Sequence, residues 1–172
     1  MRLPAVAGRF YPADPDDLRD MIGWCFSHPL GPGKPGDAGS DRRISGIMAP
    51  HAGYVCSGMT AAYAYRALRE DGLPDLYVII GPDHYGTAMG RTVICSEDFS
   101  TPLGVCRSDR EVCSRLSEVF ADNPRAHARE HAVEVQVPFI QYIDPDPSIV
   151  AVTMGDQSPR AAAELASVLR EA

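Results

Sequence analysis

The sequence lacks the features that mark several specialised classes of protein. It has no excess of positive charge, since its net charge is −7, and this argues against general binding to nucleic acid or to an anionic membrane surface. Its longest unbroken apolar run, 76–80, is far shorter than the ~20 residues of a membrane helix. The first residues also lack the apolar core of a signal peptide. We therefore expect a cytoplasmic protein that is neither exported nor inserted in a membrane.

Paired cysteines are missing as well. The chain has five cysteines, an odd number, and no two are spaced like the ligands of a zinc ribbon. They are scattered along the chain at Cys25, Cys56, Cys95, Cys106 and Cys113. We therefore predict neither a disulfide framework nor a structural zinc site, which suits a reducing compartment.

The size and composition that remain are typical of one globular domain. The chain has 172 residues, 45% of them hydrophobic and 23% charged, and a domain of this size buries roughly 70% of its unfolded surface. No internal repeat or low-complexity tract divides it. We predict a single α/β domain over residues 1–172.

Apolar runs and capping signals predict the elements of this domain. A first helix is expected from Asp14, because Asp-Pro-Asp-Asp supplies an N-cap, a proline and acidic residues in the first turn. Its apolar stripe comprises Leu18, Met21, Ile22, Cys25 and Phe26. A glycine- and proline-rich loop is predicted over 30–40. Strands are predicted over 44–49, 76–80, 91–95 and 149–154.

Three further helices are predicted. One is alanine-rich and covers 58–70, one opens at the capping box that begins at Ser108, and the last starts at Ser158. The inward residues of the middle helix are predicted to be Val112, Leu116, Val119 and Phe120. The order strand 44–49, helix 58–70, strand 76–80 is typical of a right-handed parallel crossover. We therefore expect a central, mainly parallel sheet flanked by helices.

Two histidines occupy matching positions in this scheme. His51 follows the predicted strand 44–49, and His84 follows the predicted strand 76–80. Ligands of open α/β sheets bind outside the carboxyl ends of the strands, so the two imidazoles are expected at one edge, on one metal ion or one substrate. The alternative is a pair of hydrogen-bonded loop histidines.

The segment 130–142 is ambiguous between a strand and a helix. On a helix, Glu130 and Glu134 would share one face and form a carboxylate pair that orients a histidine or acts as an acid and base. Otherwise they are two solvated glutamates. His131 either acts as an acid or base or simply flanks the element.

Other residues near these motifs have weaker signals. Cys56 is either a metal thiolate or, more commonly, a small buried hydrophobe. Asp83 and Tyr85 flank His84, where they can hydrogen-bond a substrate. The glycines of the loops are expected to be structural, and two further histidines, at 28 and 127, are expected on the surface or in turns.

Five motifs together resemble the Memo family, which is similar in fold to the LigB-type (class III) extradiol non-haem iron dioxygenases. They are Ala7-Gly-Arg-Phe-Tyr-Pro12, Ala49-Pro-His-Ala-Gly-Tyr54 with Ser57-Gly58, Gly81-Pro-Asp-His84, Glu130-His-Ala-Val-Glu-Val-Gln-Val-Pro-Phe139 and Val152-Thr-Met-Gly155. The resemblance runs nearly end to end and implies that the ambiguous segment is a helix. It implies a metal site in which His51 and His84 are ligands, with Glu130, His131 and Glu134 nearby. We therefore predict His131 and Glu134 as acid and base groups, and Tyr54, Asp83, Tyr85 and Glu130 as substrate contacts.

The chain departs from the family in its length. Family members continue beyond the last residue of this chain, so the resemblance implies an N-terminal portion of a longer domain and an iron or copper site whose third ligand lies elsewhere. If the same sheet continues in the remainder, we expect the strand at 149–154 and the last helix to expose an apolar face.

Three functions follow from these observations. The first is a metal-dependent oxidoreductase of dioxygenase type. The second is a non-catalytic module on the same fold that binds a small molecule, a peptide or a phosphopeptide in signalling. The third is a component of a modification system, with radical-SAM and AMMECR-type proteins as partners. Bound metal, binding that is indifferent to metal, and co-purification with those partners discriminate the three.

Overall fold

A computed structural model describes residues 1–172 and confirms the predicted α/β class. One sheet of six strands lies between two layers of helices. The helices are α1 (Pro15–Ser27), α2 (Tyr54–Asp71), α3 (Arg110–Leu116), α4 (Pro124–His127), α5 (Val137–Ile143) and α6 (Pro159–Glu171), with a 3-10 turn at Glu134–Gln136. The strands are β1 (Tyr77–Pro82), β2 (Thr92–Cys95), β3 (Phe99–Thr101), β4 (Gly104–Ser108), β5 (Ala121–Asp122) and β6 (Ser148–Met154). No helix combines the length and the apolar composition that a membrane span requires.

The centre of the sheet is β6. On one side β6 pairs in parallel with β1 along its whole length, and on the other side it pairs with both β2 and β4. The pairing with β2 is antiparallel, as is that between β3 and β4, whereas β2 and β5 are parallel. The sheet is thus mixed, with three parallel pairings among five. The far edge of β1 pairs with no strand.

The two faces of β6 contact different cores, because side chains alternate along a strand. Ile149 and Ala151 face the larger core, which α1, α2 and α5 cover. Val150 and Val152 face a smaller core with α3 and α6. All four side chains are fully buried, which is why this strand is a continuous apolar run in the sequence.

The capping signals located three helices correctly. The Asp14 carboxylate accepts the backbone N–H groups of Asp16 and Asp17 at the start of α1, and the Ser158 hydroxyl accepts that of Ala161 in α6. The N-cap of α3 is Asp109 rather than the serine before it. In each case an orphan N–H of the first turn gains an acceptor.

The prediction of a strand over 44–49 was wrong. No hydrogen bond joins this segment to β1. The segment is held at its two ends instead, where the N–H of Ile44 donates to Asp71 Oδ2 and the side-chain amide of Gln136 donates to the carbonyl of Pro50. Its backbone therefore crosses beside the sheet without joining it, and the predicted parallel crossover is absent. The helix that follows begins at Tyr54, earlier than the sequence indicated.

Three further expectations were wrong in part. Val119 lies beyond the end of α3 and is 54% exposed. Residues 130–133 precede the 3-10 turn, so only the later part of the ambiguous segment is helical. The strand at 149–154 exposes no apolar face because it is the middle of the sheet. The hairpin of β3 and β4 was not predicted.

Candidate functional site

Three histidines from distant parts of the chain meet at one edge of the sheet. His84 follows the carboxyl end of β1, His51 lies three residues before α2, and His131 precedes the 3-10 turn. The Nε2 atoms of His51 and His84 are 3.3 Å apart, as the sequence argument required. One ring nitrogen of each of the three lies within 4.8 Å of the others. This group is the candidate functional site, and we call it the histidine cluster.

The ring of His131 is held by aromatic contacts. It stacks on His84 with ring centroids 4.5 Å apart, and the Phe10 ring meets its edge at 4.8 Å. Phe10 is in turn tied to the start of α2, because its carbonyl accepts the N–H of Tyr54. Phe10 belongs to the first of the five motifs, but its contact with His131 was not predicted. These contacts fix the orientation of the His131 imidazole, which lies in a non-helical segment between α4 and the 3-10 turn.

Glu130 orients His84. Its buried carboxylate accepts the ring Nδ1–H of His84 at 2.9 Å, and it also accepts the backbone N–H groups of His84, His131 and Ala132. Burial alone raises the pKa of Glu130, but the N–H groups and the His84 ring outweigh it and keep this pKa low. An ionised carboxylate at Nδ1 leaves the Nε2 lone pair of His84 directed at His51, which is the arrangement that fixes a metal-ligating histidine.

The other two histidines are kept neutral. Burial lowers the pKa of His51, and the neighbouring His84 lowers it further against the opposing effect of Glu130. Burial likewise lowers the pKa of His131, whose Nδ1 atom is buried without a hydrogen-bond partner. A neutral imidazole with a free nitrogen is the form that binds a metal ion.

The histidine cluster fits a metal ion. Two nitrogen ligands at the usual 2.0–2.1 Å from one ion are roughly 3.0 to 3.4 Å apart, depending on the angle between them. The 3.3 Å between His51 Nε2 and His84 Nε2 falls in this range. One ring nitrogen of His131, within 4.8 Å of those of His51 and His84, adds a third donor from within the chain, although the family resemblance implied that the third ligand lies elsewhere. A donor set of three imidazoles suits zinc, copper, iron or nickel.

Glu134 lies outside the cluster and holds the N-terminal segment. Its fully buried carboxylate forms an ion pair with Arg2 at 2.5 Å. The same carboxylate accepts the N–H groups of Ala5 and Val6 and the hydroxyl of Tyr11. Glu134 and Glu130 therefore do not share a helix face. These contacts favour an anchoring role for Glu134 over the acid and base role that the sequence suggested.

The expected substrate contacts are placed differently from one another. Tyr54 is buried and its hydroxyl donates to the carbonyl of Val135, so it faces the core. The Asp83 carboxylate accepts the N–H groups of Tyr85 and Ala88 and closes the loop after β1. Tyr85 is 46% exposed, and its ring meets the edge of the His131 ring with the Arg129 guanidinium above it. Of these three residues, only Tyr85 lies beside the histidine cluster on its solvent-exposed side.

Two other residues that the sequence singled out have clear positions. Cys56 is exposed in the first turn of α2 and is not among the converging ligands. Gly81 lies where β1 passes the segment that carries His131, and a Cβ there would be 2.8 Å from the Cβ of Ala132. The missing side chain allows the close approach that places His131 beside His84.

His127 is buried rather than on the surface, and this predicts a pH dependence of stability. Its side chain is 1% exposed, with Thr153 as its hydrogen-bond partner, and burial lowers its pKa to about 4. In the unfolded chain His127 binds a proton as the pH falls through about 6.5, whereas in the folded chain it stays neutral until the pH is near 4. We therefore expect about 3 kcal/mol of stability to be present above pH 6.5 and lost as the pH falls towards 4.

Urea unfolding between pH 7.5 and 4 measures this effect. The parent chain and a His127→Gln variant share the contributions of His51 and His131. The free energy of unfolding of the variant should therefore fall much less between pH 6.5 and 4 than that of the parent chain. A variant with the slope of the parent chain would contradict the assignment.

Comparisons with known proteins agree with the motifs. A family model described as Memo-like protein matches residues 2–172. MEMO1 family proteins of Methanothermobacter thermautotrophicus and Ignicoccus hospitalis are 46% and 44% identical to the chain, over 99% and 100% of its length. The matches cover 64% and 62% of those relatives. The chain thus spans less than two thirds of their length.

Proposed function

The chain belongs to the Memo family, and on this basis we propose that it is a metal-dependent oxidoreductase whose iron or copper ion is held by His51, His84 and His131. The observation that carries the proposal is the pair of converging Nε2 atoms 3.3 Å apart, with the Nδ1–H of His84 already committed to Glu130. A pair of surface histidines has no need of a buried, ionised carboxylate behind one ring. The fold similarity of the family to extradiol dioxygenases favours redox chemistry over hydrolysis.

Different residues of the chain would have different roles at this site. A bound iron or copper ion would supply one-electron redox chemistry and a Lewis-acidic point for substrate. Glu130 keeps the proton on Nδ1 of His84, and the stack of His84 and His131 restricts both rings. At the open side, Tyr85 and Arg129 would orient a substrate by its aromatic or anionic part.

Metal loading tests this function directly. The chain is incubated without oxygen with Fe(II), Cu(I) or Zn(II), desalted, and analysed by elemental mass spectrometry. We expect about one iron or copper ion per chain, and oxygen uptake with a reductant that depends on that ion. Binding of zinc alone would overturn the redox assignment. Binding of a peptide ligand without any metal would favour the non-catalytic module.

The substitution Glu130→Gln tests the contribution of the orienting carboxylate while all three histidine ligands remain in place. The amide keeps the size of the side chain but accepts only through one oxygen and cannot carry the charge. Loss of such a partner typically weakens metal binding by about 10- to 100-fold, so we expect this loss in a competition titration with a chelator. Stoichiometry should survive at saturating metal.

The matched control for this variant is Glu118→Gln, because Glu118 is exposed and is neither a member of the cluster nor a hydrogen-bond partner of its rings. The two variants should have equal far-UV circular dichroism. Equal metal affinity in both would remove Glu130 from the site.

A further inference from the structure

The side chain of Arg2 is buried against the segment that carries Glu130 and His131. It is only 2% exposed, and an arginine is rarely buried so completely unless it is paired. Its Nε donates to the carbonyl of His127 at 3.1 Å, and its Nη2 donates to the carbonyl of Glu130 at 2.7 Å. The remaining arm, Nη1, forms the ion pair with Glu134. One rigid guanidinium therefore contacts three points between residues 127 and 134.

The main chain of Arg2 is fixed independently of these contacts. Its N–H donates to the carbonyl of Asp98 at 2.8 Å, and its carbonyl accepts the N–H of Ser100 at 2.9 Å, which ties it to β3. The guanidinium also lies over the buried ring of Phe99, with 5.2 Å between Cζ and the ring centroid. Arg2 thus joins one edge of the sheet to the segment that carries part of the histidine cluster.

The turn that Arg2 contacts, residues 127–130, precedes a stretch without regular structure. Residues 128–133 belong to no helix or strand. The N–H of Glu130 donates to the carbonyl of His127 at 3.2 Å, and the carbonyl of Glu130 accepts Arg2. Both carbonyls that bound the turn are therefore acceptors of Arg2. Because a buried carbonyl without a donor is unfavourable, the guanidinium stabilises this one arrangement of the turn.

The position of the turn determines whether the Glu130 carboxylate reaches His84. That carboxylate accepts the Nδ1–H of His84 at 2.9 Å and the backbone N–H of His84 at 2.7 Å. Hydrogen bonds weaken steeply when the donor and the acceptor move apart or out of line. A displacement of the Glu130 main chain would therefore release the ring of His84.

We propose that Arg2 is a positioning residue of the histidine cluster, because it holds Glu130 where its carboxylate fixes the ring of His84. Arg2 is not among the converging ligands, and its hydrogen bonds go to carbonyls of the turn, so its effect passes through Glu130. The proposal rests on the proposed function for its relevance to metal binding. Its first test, however, needs no metal.

Two substitutions separate the two kinds of contact that Arg2 makes. Arg2→Lys keeps a positive charge beside Glu134, but a single ammonium group cannot reproduce the fork that bonds two carbonyls and a carboxylate. Glu134→Gln removes the ion pair and leaves both carbonyl contacts in place. A purely structural Arg2 predicts that damage to the site follows the loss of stability in both variants. A positioning role predicts that Arg2→Lys damages the site more, although Glu134→Gln is the less stable chain.

The first measurement is the tautomer of His84 in the metal-free chain, by nuclear magnetic resonance of isotope-labelled histidine. The hydrogen bond at one ring nitrogen sets the tautomer, so the parent chain should show His84 protonated at Nδ1. The signal is identified by its absence from His84→Ala. We expect Glu134→Gln to keep it and Arg2→Lys to lose it through exchange between the two tautomers.

The second measurement is the affinity for Fe(II) and for Cu(I), by competition with a chelator. Loss of an orienting partner weakens metal binding by about 10-fold or more, and we expect this loss in Arg2→Lys with unchanged stoichiometry. Glu134→Gln should bind metal as the parent chain does, despite the larger fall in its urea midpoint.

The outcomes distinguish the role of Arg2 from the function of the site. A parental tautomer and parental affinity in Arg2→Lys would overturn the proposal, and so would losses in both variants that follow their loss of stability. If the parent chain binds no metal but Arg2→Lys alone loses the Nδ1–H signal, the proposed function fails and the role of Arg2 is supported.

The double variant Arg2→Met/Glu134→Gln guards against an Arg2→Lys chain that does not fold. It removes both buried charges, and loss of both partners is tolerated far better than loss of one. Compared with Glu134→Gln alone, it should lose the His84 signal and about 10-fold in metal affinity. Equality of the two variants in both measurements would overturn the proposal.

Discussion

Replacing His84 by alanine should reduce bound metal from about one ion per chain to a background level. His84 is the ligand whose ring is fixed both by a hydrogen bond, from Nδ1–H to Glu130, and by stacking, on His131. Loss of an orienting partner alone costs about 10- to 100-fold in affinity, and removal of the ligand itself should cost more than that. Elemental analysis after iron or copper loading measures the change, and His51→Ala and His131→Ala should behave in the same way.

The control for these variants is His28→Ala. His28 lies at the end of α1, where its Nδ1 accepts the N–H of Leu30, and it takes no part in the cluster. Metal content should be unchanged in this variant. If His131→Ala also retains its metal while the other two lose it, the third ligand lies outside these three histidines. Full retention in all variants would end the metal-site hypothesis.

Glu134→Gln should be the most destabilising conservative substitution in the molecule. The change leaves the buried guanidinium of Arg2 without its counter-charge, and removing one partner of a buried ion pair costs about 3–5 kcal/mol. Tyr11 and the N–H groups of Ala5 and Val6 also lose part of their acceptor. Equilibrium urea unfolding at pH 7 measures the difference in the free energy of unfolding.

Glu111→Gln is the matched control, because Glu111 forms an ion pair with Arg115 on the surface of α3, where such pairs contribute little. A Glu134→Gln variant with parental stability but no activity would restore the acid and base role that the sequence suggested. The two interpretations of Glu134 thus predict opposite pairs of results.

Local signals in the sequence predicted α1, α2, α3 and α6 and the strands at β1, β2 and β6. Capping at Asp14 and Ser158 depends on neighbouring residues only, so it is visible in the chain itself. The segment 44–49 has the composition of a strand, yet strand formation requires a partner at the right distance. That partner is a tertiary property, and the structure does not provide it.

The site was predicted in outline and mistaken in its details for a similar reason. The convergence of His51 and His84 followed from their places after apolar runs. A carboxylate that orients a histidine was among the alternatives for Glu130 and Glu134, but the sequence could not show that Glu130 alone has this role or that its partner is His84, 46 residues away. Glu134 was grouped with Glu130 on the assumption of one continuous helix, and the helix begins too late to place both on one face.

The central position of β6 determines when the chain can acquire its architecture. β1, β2 and β4 all pair with β6. Tyr77 of β1, for example, pairs with Ile149 of β6, which is 72 residues later in the chain. During synthesis these three strands leave the ribosome before the strand that joins them, so until then the native pairings available are those within local helices, the β3–β4 hairpin and the two-residue pairing of β2 with β5. Late, long-range pairing of this kind slows folding and leaves apolar edges open to aggregation. Folding in the cell is therefore expected to depend on protection of the nascent chain.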